Sequence, residues 1–421
     1  MSKLHHSSIP TGIRALLIRR TTAPLLTLVR KSKMGPRQSS FGVRRWLSAT
    51  ANDARSMIHR TVLRGREHFE RVEQTPYRIT VTGIRGKSTV VRWLNETLVE
   101  RGYETYAKVT GNRPVSYHNL DGTPIERDGT TRLYENATEF REYHPVDAAV
   151  VENQGIREYT TRLANELFDP HVVILLNIRR DHQSTLGEEL DDIARVFTRV
   201  MPEGTVVISG DRNEAINAYL RQEFEKTGHE FRVAAPNQES QGPFVDVFGA
   251  RSALVVDETL RALGMDPLEP RQIQDYIDSL HREWGWQRLE GGGLIANGAM
   301  MNDIESTELL RQFLVERLDQ NIVTPFIYTR RDRAGRTAAF VHYLNWLHAN
   351  DLITQIHAAG TQDRLLERRV HADVVRYGEG EDVGAVLDAL LDEGRPVYMM
   401  GNTVAEFMRK LTTEIDSRAL E

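Results

Sequence analysis

RITVTGIRGKSTVVRWL, from Arg78 to Leu94, is the stretch whose reading decides the fold. An apolar, β-branched run stops at two glycines, a lysine and two hydroxyls, then resumes with helical spacing. Gly83 and Gly86 let the backbone turn tightly after a strand, so that amides face inward while the following helix begins with its positive end at the same point. That is an anion cradle. Lys87 is placed to reach the outer phosphates of a nucleoside triphosphate, and Ser88 to join a magnesium shell, as in a P-loop. The full pattern G-x-x-x-x-G-K-[ST] asks for glycine at position 81, where this chain has Val81. A strand-to-helix turn with an incidental lysine is therefore the competing reading.

A triphosphate site also needs metal ligands, and these belong at the C-terminal ends of neighbouring strands. Glu152 ends AAVVE, Asp181 and His182 follow VILLNIRR, and Thr110 follows TYAKV. Each alone is weak, since a strand-end carboxylate or imidazole is commonly an ordinary surface group. Their arrangement after a P-loop is what lifts them.

From Pro76 onward short β-branched runs alternate with amphipathic stretches, the pattern of βα units around a largely parallel sheet. Expected strands are YRITVTG, DAAVVEN, HVVILLNI and TVVISG, with helices beginning near Ser88, Gly187, Asn213 and Ser252. A second series starts at GGGLIANG and continues through VTPFIYT, ITQIHAA, ADVVRY and PVYMMGN, with helices near Ile304, Ala334, Val383 and Thr403. The fold class is α/β, in two domains: a P-loop central domain with a mostly parallel sheet over 76–290, and a C-terminal α/β domain over 291–421. Gly291, Gly292 and Gly293 sit between them as the expected hinge.

The chain has 421 residues, 40% hydrophobic and 27% charged, enough for a large core in two or three domains. It has no cysteine, which excludes disulfides, zinc–thiolate sites and cysteine nucleophiles. Charge is uneven: residues 1–70 hold 14 Lys and Arg against three acids, a net of +11, so the remaining 351 residues carry −16. No nucleic-acid partner is expected. The apolar run from Ile13 to Lys31 is interrupted by Arg14, Arg19 and Arg20 and is too broken to span a bilayer. Residues 1–75, expected to be a basic helical segment, leave three readings open: a solvated leader, an element docking on an anionic membrane surface or a partner, and a transit peptide.

At this point the motifs resemble those of a known family, the Mur ligases and folylpolyglutamate synthetases, which make amide bonds with ATP. TGIRGKST resembles their T-G-x-x-G-K-[ST] loop, NIRRDH (177–182) their N-x-x-x-D-H segment, and QRLE (287–290) the G-R-x-E that closes their central domain. Within that family the likeness is to the ligase subunits of poly-γ-glutamate synthases. Thr82 to Thr89 matches their T-G-x-R-G-K-S-T, AKVTG (107–111) is similar to A-K-T-T-G, NDIEST (302–307) to N-D-P-E-S-T, and RRDRAGR (330–336) to R-x-D-R-x-x-R.

The resemblance implies a Rossmann-like C-terminal domain and a set of roles. Gly83, Arg85, Gly86, Lys87, Ser88 and Thr89 would form the nucleotide loop, with Asn177 and Arg288 also on the nucleotide. Ser88 and Glu152 would bind one magnesium, and His182 with Thr110 a second metal. Asn302, Arg330, Arg333 and Arg336 would bind substrate from the C-terminal domain, and Lys87, His182, Arg288 and Arg333 would act in catalysis. The implied reaction is ATP- and Mg²⁺-dependent joining of glutamate to a growing poly-γ-glutamate chain through a carboxyl phosphate. Polymer synthases of this kind work with small integral-membrane subunits, so the cytoplasmic face of the cell membrane is the expected location. Two other classes stay open: a nucleotide-dependent regulator or assembly factor of a membrane polymer exporter, and a scaffold with a degenerate site.

Departures from the family pattern are specific. Where many Mur ligases carry a carbamylated lysine, the helix here reads DDIARVF with Arg195 near that place. The aspartate of the Mur D-x-x-x-N-P motif has no clear counterpart: Asn297 stands nearest and Asp303 replaces the proline. No UDP-sugar-binding domain is expected in the short basic segment ahead of the P-loop.

Overall fold

The computed structural model describes residues 65–111, 114–126, 133, 135–180, 186–187, 189–236, 247–318 and 320–420. Most of the basic segment, and with it the docking expectation, lies outside these residues, as do Asp181 and His182. Residues 67–421 form one compact unit. Its first turns show that the folded body starts earlier than residue 76. His68 and Val72 are buried, the His68 ring bonds the Leu167 carbonyl at 2.7 Å, and Val72 packs with Tyr106, Phe140 and Phe168.

The first sheet has eight strands in the order β4-β3-β2-β5-β1-β6-β7-β8, formed by β1 (Tyr77–Thr82), β2 (Thr105–Val109), β3 (Val115–His118), β4 (Asp121–Pro124), β5 (Ala148–Glu152), β6 (Val172–Leu175), β7 (Val206–Ser209) and β8 (Glu230–Val233). All pairings are parallel except those of β3 with β2 and β4. Central strands are buried on both faces because helices cover both sides: β1, β2, β5 and β6 are almost wholly buried. The helix Lys87–Glu100 lays Val90, Val91, Leu94 and Leu98 against Ile79, Val81 and Val150, while the other face packs Val173, Leu175 and Ile193.

The second sheet runs β13-β12-β11-β14-β10-β9, from β9 (Gln287–Arg288), β10 (Leu294–Asn297), β11 (Thr324–Thr329), β12 (Gln355–Gly360), β13 (Asp373–Tyr377) and β14 (Val397–Met400). Only β9 is antiparallel. That strand corrects the hinge expectation. Gly291, Gly292 and Gly293, with φ of 83°, 102° and 94°, form the tight turn of the β9–β10 hairpin inside the second sheet, closed by Leu289 N donating to Gly293 O. The chain crosses between sheets ahead of them, after the helix Pro270–Trp284.

An aromatic seam ties the two sheets' layers together. Phe248 stacks on Phe313 at 4.6 Å, the His281 ring lies 4.5 Å from Phe313, and Arg317 covers Phe313 at 4.1 Å while bonding His281 at 2.9 Å. Burial pushes the His281 pKa down, so the ring sits in the seam as a neutral group. Among the described residues no helix is long and apolar enough to cross a membrane.

Candidate active site

Strand order assembles the site. β2, β5, β1 and β6 are consecutive neighbours, so the residues at their C-terminal ends, Thr110, Glu152, the Gly83–Ser88 loop and Asn177, stand side by side along one edge. This is the crevice where open α/β sheets bind ligands.

The loop has the expected cradle shape. Gly83 adopts φ of +112°, and a Cβ there would lie 3.0 Å from the backbone nitrogens of both Leu176 and Asn177. Only glycine fits this close approach. Gly86, at φ +81°, is the N-cap of the helix Lys87–Glu100 and offers no side-chain cap to its first amides. Those donors, together with the helix dipole, favour an anion. Asn177 shapes the loop from both sides: its Oδ1 accepts from Arg85 N at 2.9 Å and its Nδ2 donates to Arg85 O at 3.0 Å.

Lys87 Nζ folds back over the loop, donating to Gly83 O at 3.0 Å and Ile84 O at 3.4 Å, 3.9 Å from Glu152 Oε1. A phosphate entering the cradle would replace these carbonyls as its acceptor. Glu152, 5% exposed, accepts from Ser88 Oγ at 2.7 Å, Thr110 N at 2.9 Å and Thr110 Oγ1 at 2.8 Å. Three residues named separately from sequence therefore meet at one carboxylate. Thr89 lies in the first turn of the helix. Among the described residues no three Asp, Glu or His side chains converge as a metal cage.

In the second sheet the adjacent strands β11, β14 and β10 end at another cluster. Arg330 forms a two-point pair with Asp332, at 2.9 and 2.6 Å, and donates to Asn402 at 3.2 Å; Arg336 donates to Asn302 at 2.7 Å. Arg333 is half exposed, 3.9 Å from Asp332. Arg330, Arg333, Arg336, Thr337 and Asn402 line one depression at this edge. The Tyr328 hydroxyl below donates to Glu379, and burial and that carboxylate push its pKa up.

Not every expected residue joins these clusters. Arg288 is exposed on β9, the edge strand of the second sheet. Arg195 pairs with Asp192 at 3.1 Å on the open face of the helix Leu190–Thr198, as a solvated helix residue does. His182 lies outside the described residues.

Two carboxylates escaped the sequence reading. Asp211, 1% exposed just beyond β7, accepts from Ile178 N at 2.7 Å and pairs with Arg179 at 3.3 Å, fixing the chain beyond Asn177. Its signal was the strand-end rule that singled out Glu152, applied to TVVISGD. Asp303 accepts from Arg85 Nε at 2.9 Å, joining the P-loop to the second sheet. It stood inside the quoted NDIEST motif, but only as the residue in a proline's place.

Comparison with known proteins agrees with this fold. Residues 287–418 match the family model described as the poly-gamma-glutamate synthase CapB C-terminal domain. The chain is 27% identical over 383 residues to PGA synthase CapB of Bacillus subtilis, covering 81% of this chain and 91% of that protein. Among solved structures, E. coli FolC in complex with ADP aligns with a TM-score of 0.61 at 15% identity, over 86% of this chain and 94% of that one. The bifunctional folylpolyglutamate synthase/dihydrofolate synthase of Yersinia pestis, solved with AMPPNP and a manganese ion, aligns with a TM-score of 0.58 at 14% identity, over 94% and 97%. The fold is that of the folylpolyglutamate synthases, and the sequence resembles the ligase subunit of poly-γ-glutamate synthase.

Proposed function

We propose, from the premise that this chain has the folylpolyglutamate synthase fold and resembles PGA synthase CapB along most of its length, that it is an ATP-dependent carboxylate–amine ligase polymerising glutamate through γ-linkages. The observation that carries the reading is the meeting of Lys87, Ser88 and Thr110 around the Glu152 carboxylate beside the Gly83–Gly86 cradle. A carboxylate is a poor acylating agent. Phosphorylated by ATP it becomes an acyl phosphate with release of ADP, and an incoming amine then displaces phosphate to leave the amide.

The donors suit Mg²⁺, which takes a carboxylate and few further protein oxygens and keeps several waters. Ser88 and Glu152 would hold it, with Thr110 on the same carboxylate kept for the second metal, and the ion would supply charge neutralisation on the phosphates. Lys87 would exchange its loop carbonyls for phosphate oxygens, while Asn177 keeps the loop amides aimed inward. Arg330, Arg333 and Arg336, with Asn302, would bind the carboxylates of glutamate and of the polymer, local cations that the −16 body needs in order to recruit a polyanion. His182 is kept as a ligand of a second metal and Arg288 as a nucleotide contact. The +11 segment would hold the enzyme at the cytoplasmic face of the membrane, against anionic headgroups or small integral-membrane subunits.

The test is ADP release by the purified chain with Mg²⁺, with and without glutamate and a short γ-linked oligomer, product masses being read beside Lys87→Ala. A Lys87-dependent ladder spaced by glutamate is expected. Phosphate release indifferent to any carboxylate substrate, with no ladder, would favour the regulator instead.

A further inference from the structure

The P-loop arginine is held from the second sheet. Arg85 Nε donates to Asp303 Oδ2 at 2.9 Å, a pair in which the carboxylate side chain is fully buried and the guanidinium side chain is 22% exposed. Asp303 is itself fixed, because its Oδ1 accepts from Ser306 N at 2.8 Å and so caps the helix Ile304–Val315. One residue into that helix, Glu305 lies 3.5 Å from Arg180, on the segment that follows β6. The first turn of this helix therefore spans the ends of the two central strands β1 and β6. With the Arg85 backbone clipped by Asn177, the residue is held at its main chain by the first sheet and at its side chain by the second.

We propose that Asp303 is a positioning residue. It holds the Arg85 guanidinium where it meets the terminal phosphate of a bound nucleoside triphosphate, so that triphosphate is preferred over diphosphate only while the helix Ile304–Val315 is docked. The inference rests on the nucleotide-binding reading of the loop. A phosphoryl group passing to a carboxylate held by the second sheet's arginines must cross between the sheets, and Arg85 extends from the loop in that direction. Lys87 folds back onto the loop carbonyls. A guanidinium has a planar fork of donors, so engagement of Nε by Asp303 fixes the plane in which its other nitrogens donate. Fixing that long side chain beforehand removes an entropic cost from nucleotide binding.

The experiment measures dissociation constants for ADP and for a non-hydrolysable ATP analogue, both with Mg²⁺, on the full chain and on Asp303→Asn, Arg85→Met and the double variant. Asparagine keeps an oxygen for the Ser306 amide, so the helix cap survives while the charge goes. Each single variant should weaken the triphosphate analogue by about tenfold, the weight of one charge-assisted hydrogen bond, while leaving ADP within about twofold. The double variant should be no weaker than Arg85→Met, because Asp303 acts through that side chain. Asp303→Asn shifting both nucleotides equally, shifting neither, or adding fully to Arg85→Met would overturn the inference. Arg85→Met keeps the cap on Ser306 N but takes the cation from a fully buried carboxylate, so its melting temperature is read beside the affinities: unchanged triphosphate preference in the folded variant would also sink the idea. Failure of the unaltered chain to bind either nucleotide would overturn the ATP reading itself, an outcome distinct from normal binding that is insensitive to Asp303.

Discussion

Ser88 Oγ lies 2.7 Å from Glu152 Oε2, which places the hydroxyl that follows the P-loop lysine on the carboxylate that ends the neighbouring strand. Thr110, from the strand on the far side of β5, bonds both oxygens of the same carboxylate. The oxygens a cation would need are thus already gathered, held to one another by hydrogen bonds that a cation would loosen.

Replacing Glu152 by Gln keeps the shape and an acceptor for Ser88 but removes the charge. The concentration of Mg²⁺ giving half-maximal ADP formation should rise by at least about tenfold, as expected when a metal-site carboxylate is neutralised. A Mg²⁺ titration of turnover reads this directly, and an unchanged midpoint would remove Glu152 from the metal shell.

Lys87→Met should lower the rate of ADP formation by about a hundredfold or more, the scale of losing one preorganised charge at a transferring group. Its thermal midpoint should stay close to that of the unaltered chain, because the ammonium rests on loop carbonyls rather than in a core. Steady-state kinetics beside thermal unfolding separates the two effects.

Lys108 sits fully buried in β2 and pairs with Glu135 at 2.7 Å and Asn136 Oδ1 at 2.5 Å. Lys108→Met leaves the Glu135 carboxylate, only 14% exposed, beside an apolar chain. A loss of ~3 kcal/mol in denaturant unfolding is expected, the scale of removing one partner of a buried ion pair, with part of it recovered by adding Glu135→Gln.

Glu308 shows how acid should act on the second sheet. Burial alone would raise its pKa, but the two-point pair with Arg311, the Tyr343 hydroxyl and Gln312 together hold it below the ordinary value of 4.5. A carboxyl whose folded pKa is depressed contributes stability above its unfolded pKa and loses it as pH falls through the folded one. Unfolding midpoints should therefore drop below about pH 4.5 in the native chain, and Glu308→Gln should flatten that drop.

Removing residues 1–64 should abolish co-sedimentation with anionic vesicles at low salt. Cutting through residue 70 should lower the melting temperature as well, because it strips away His68, which is 4% exposed. Retained vesicle binding after the shorter cut would end the docking reading of the basic segment.

Much of the site was legible because its signals are local. The P-loop lies in eight consecutive residues, and left-handed glycines, a following helix and a lysine need no distant partner to be recognised. Strand ends were legible for the same reason: AAVVE and VILLN are apolar runs with one polar terminus. The hairpin of β3 and β4 went unread because VSYH and DGTP are short, and β4 is exposed throughout, so neither apolar alternation nor burial marks them. The glycine triplet suggests a hinge because three glycines signal a flexible backbone equally well in a linker or a hairpin turn.

By itself the sequence determined the α/β class, the anion cradle and the residue types available to it, since backbone preference and periodicity are set within a few neighbouring positions. Tertiary structure alone decided that β2, β5, β1 and β6 lie side by side, that Thr110 and Ser88 share Glu152, and that Asp303 reaches Arg85 across 218 residues. Strand order and register follow from which apolar faces can be buried together. That competition runs over the whole chain and leaves no mark on any one segment.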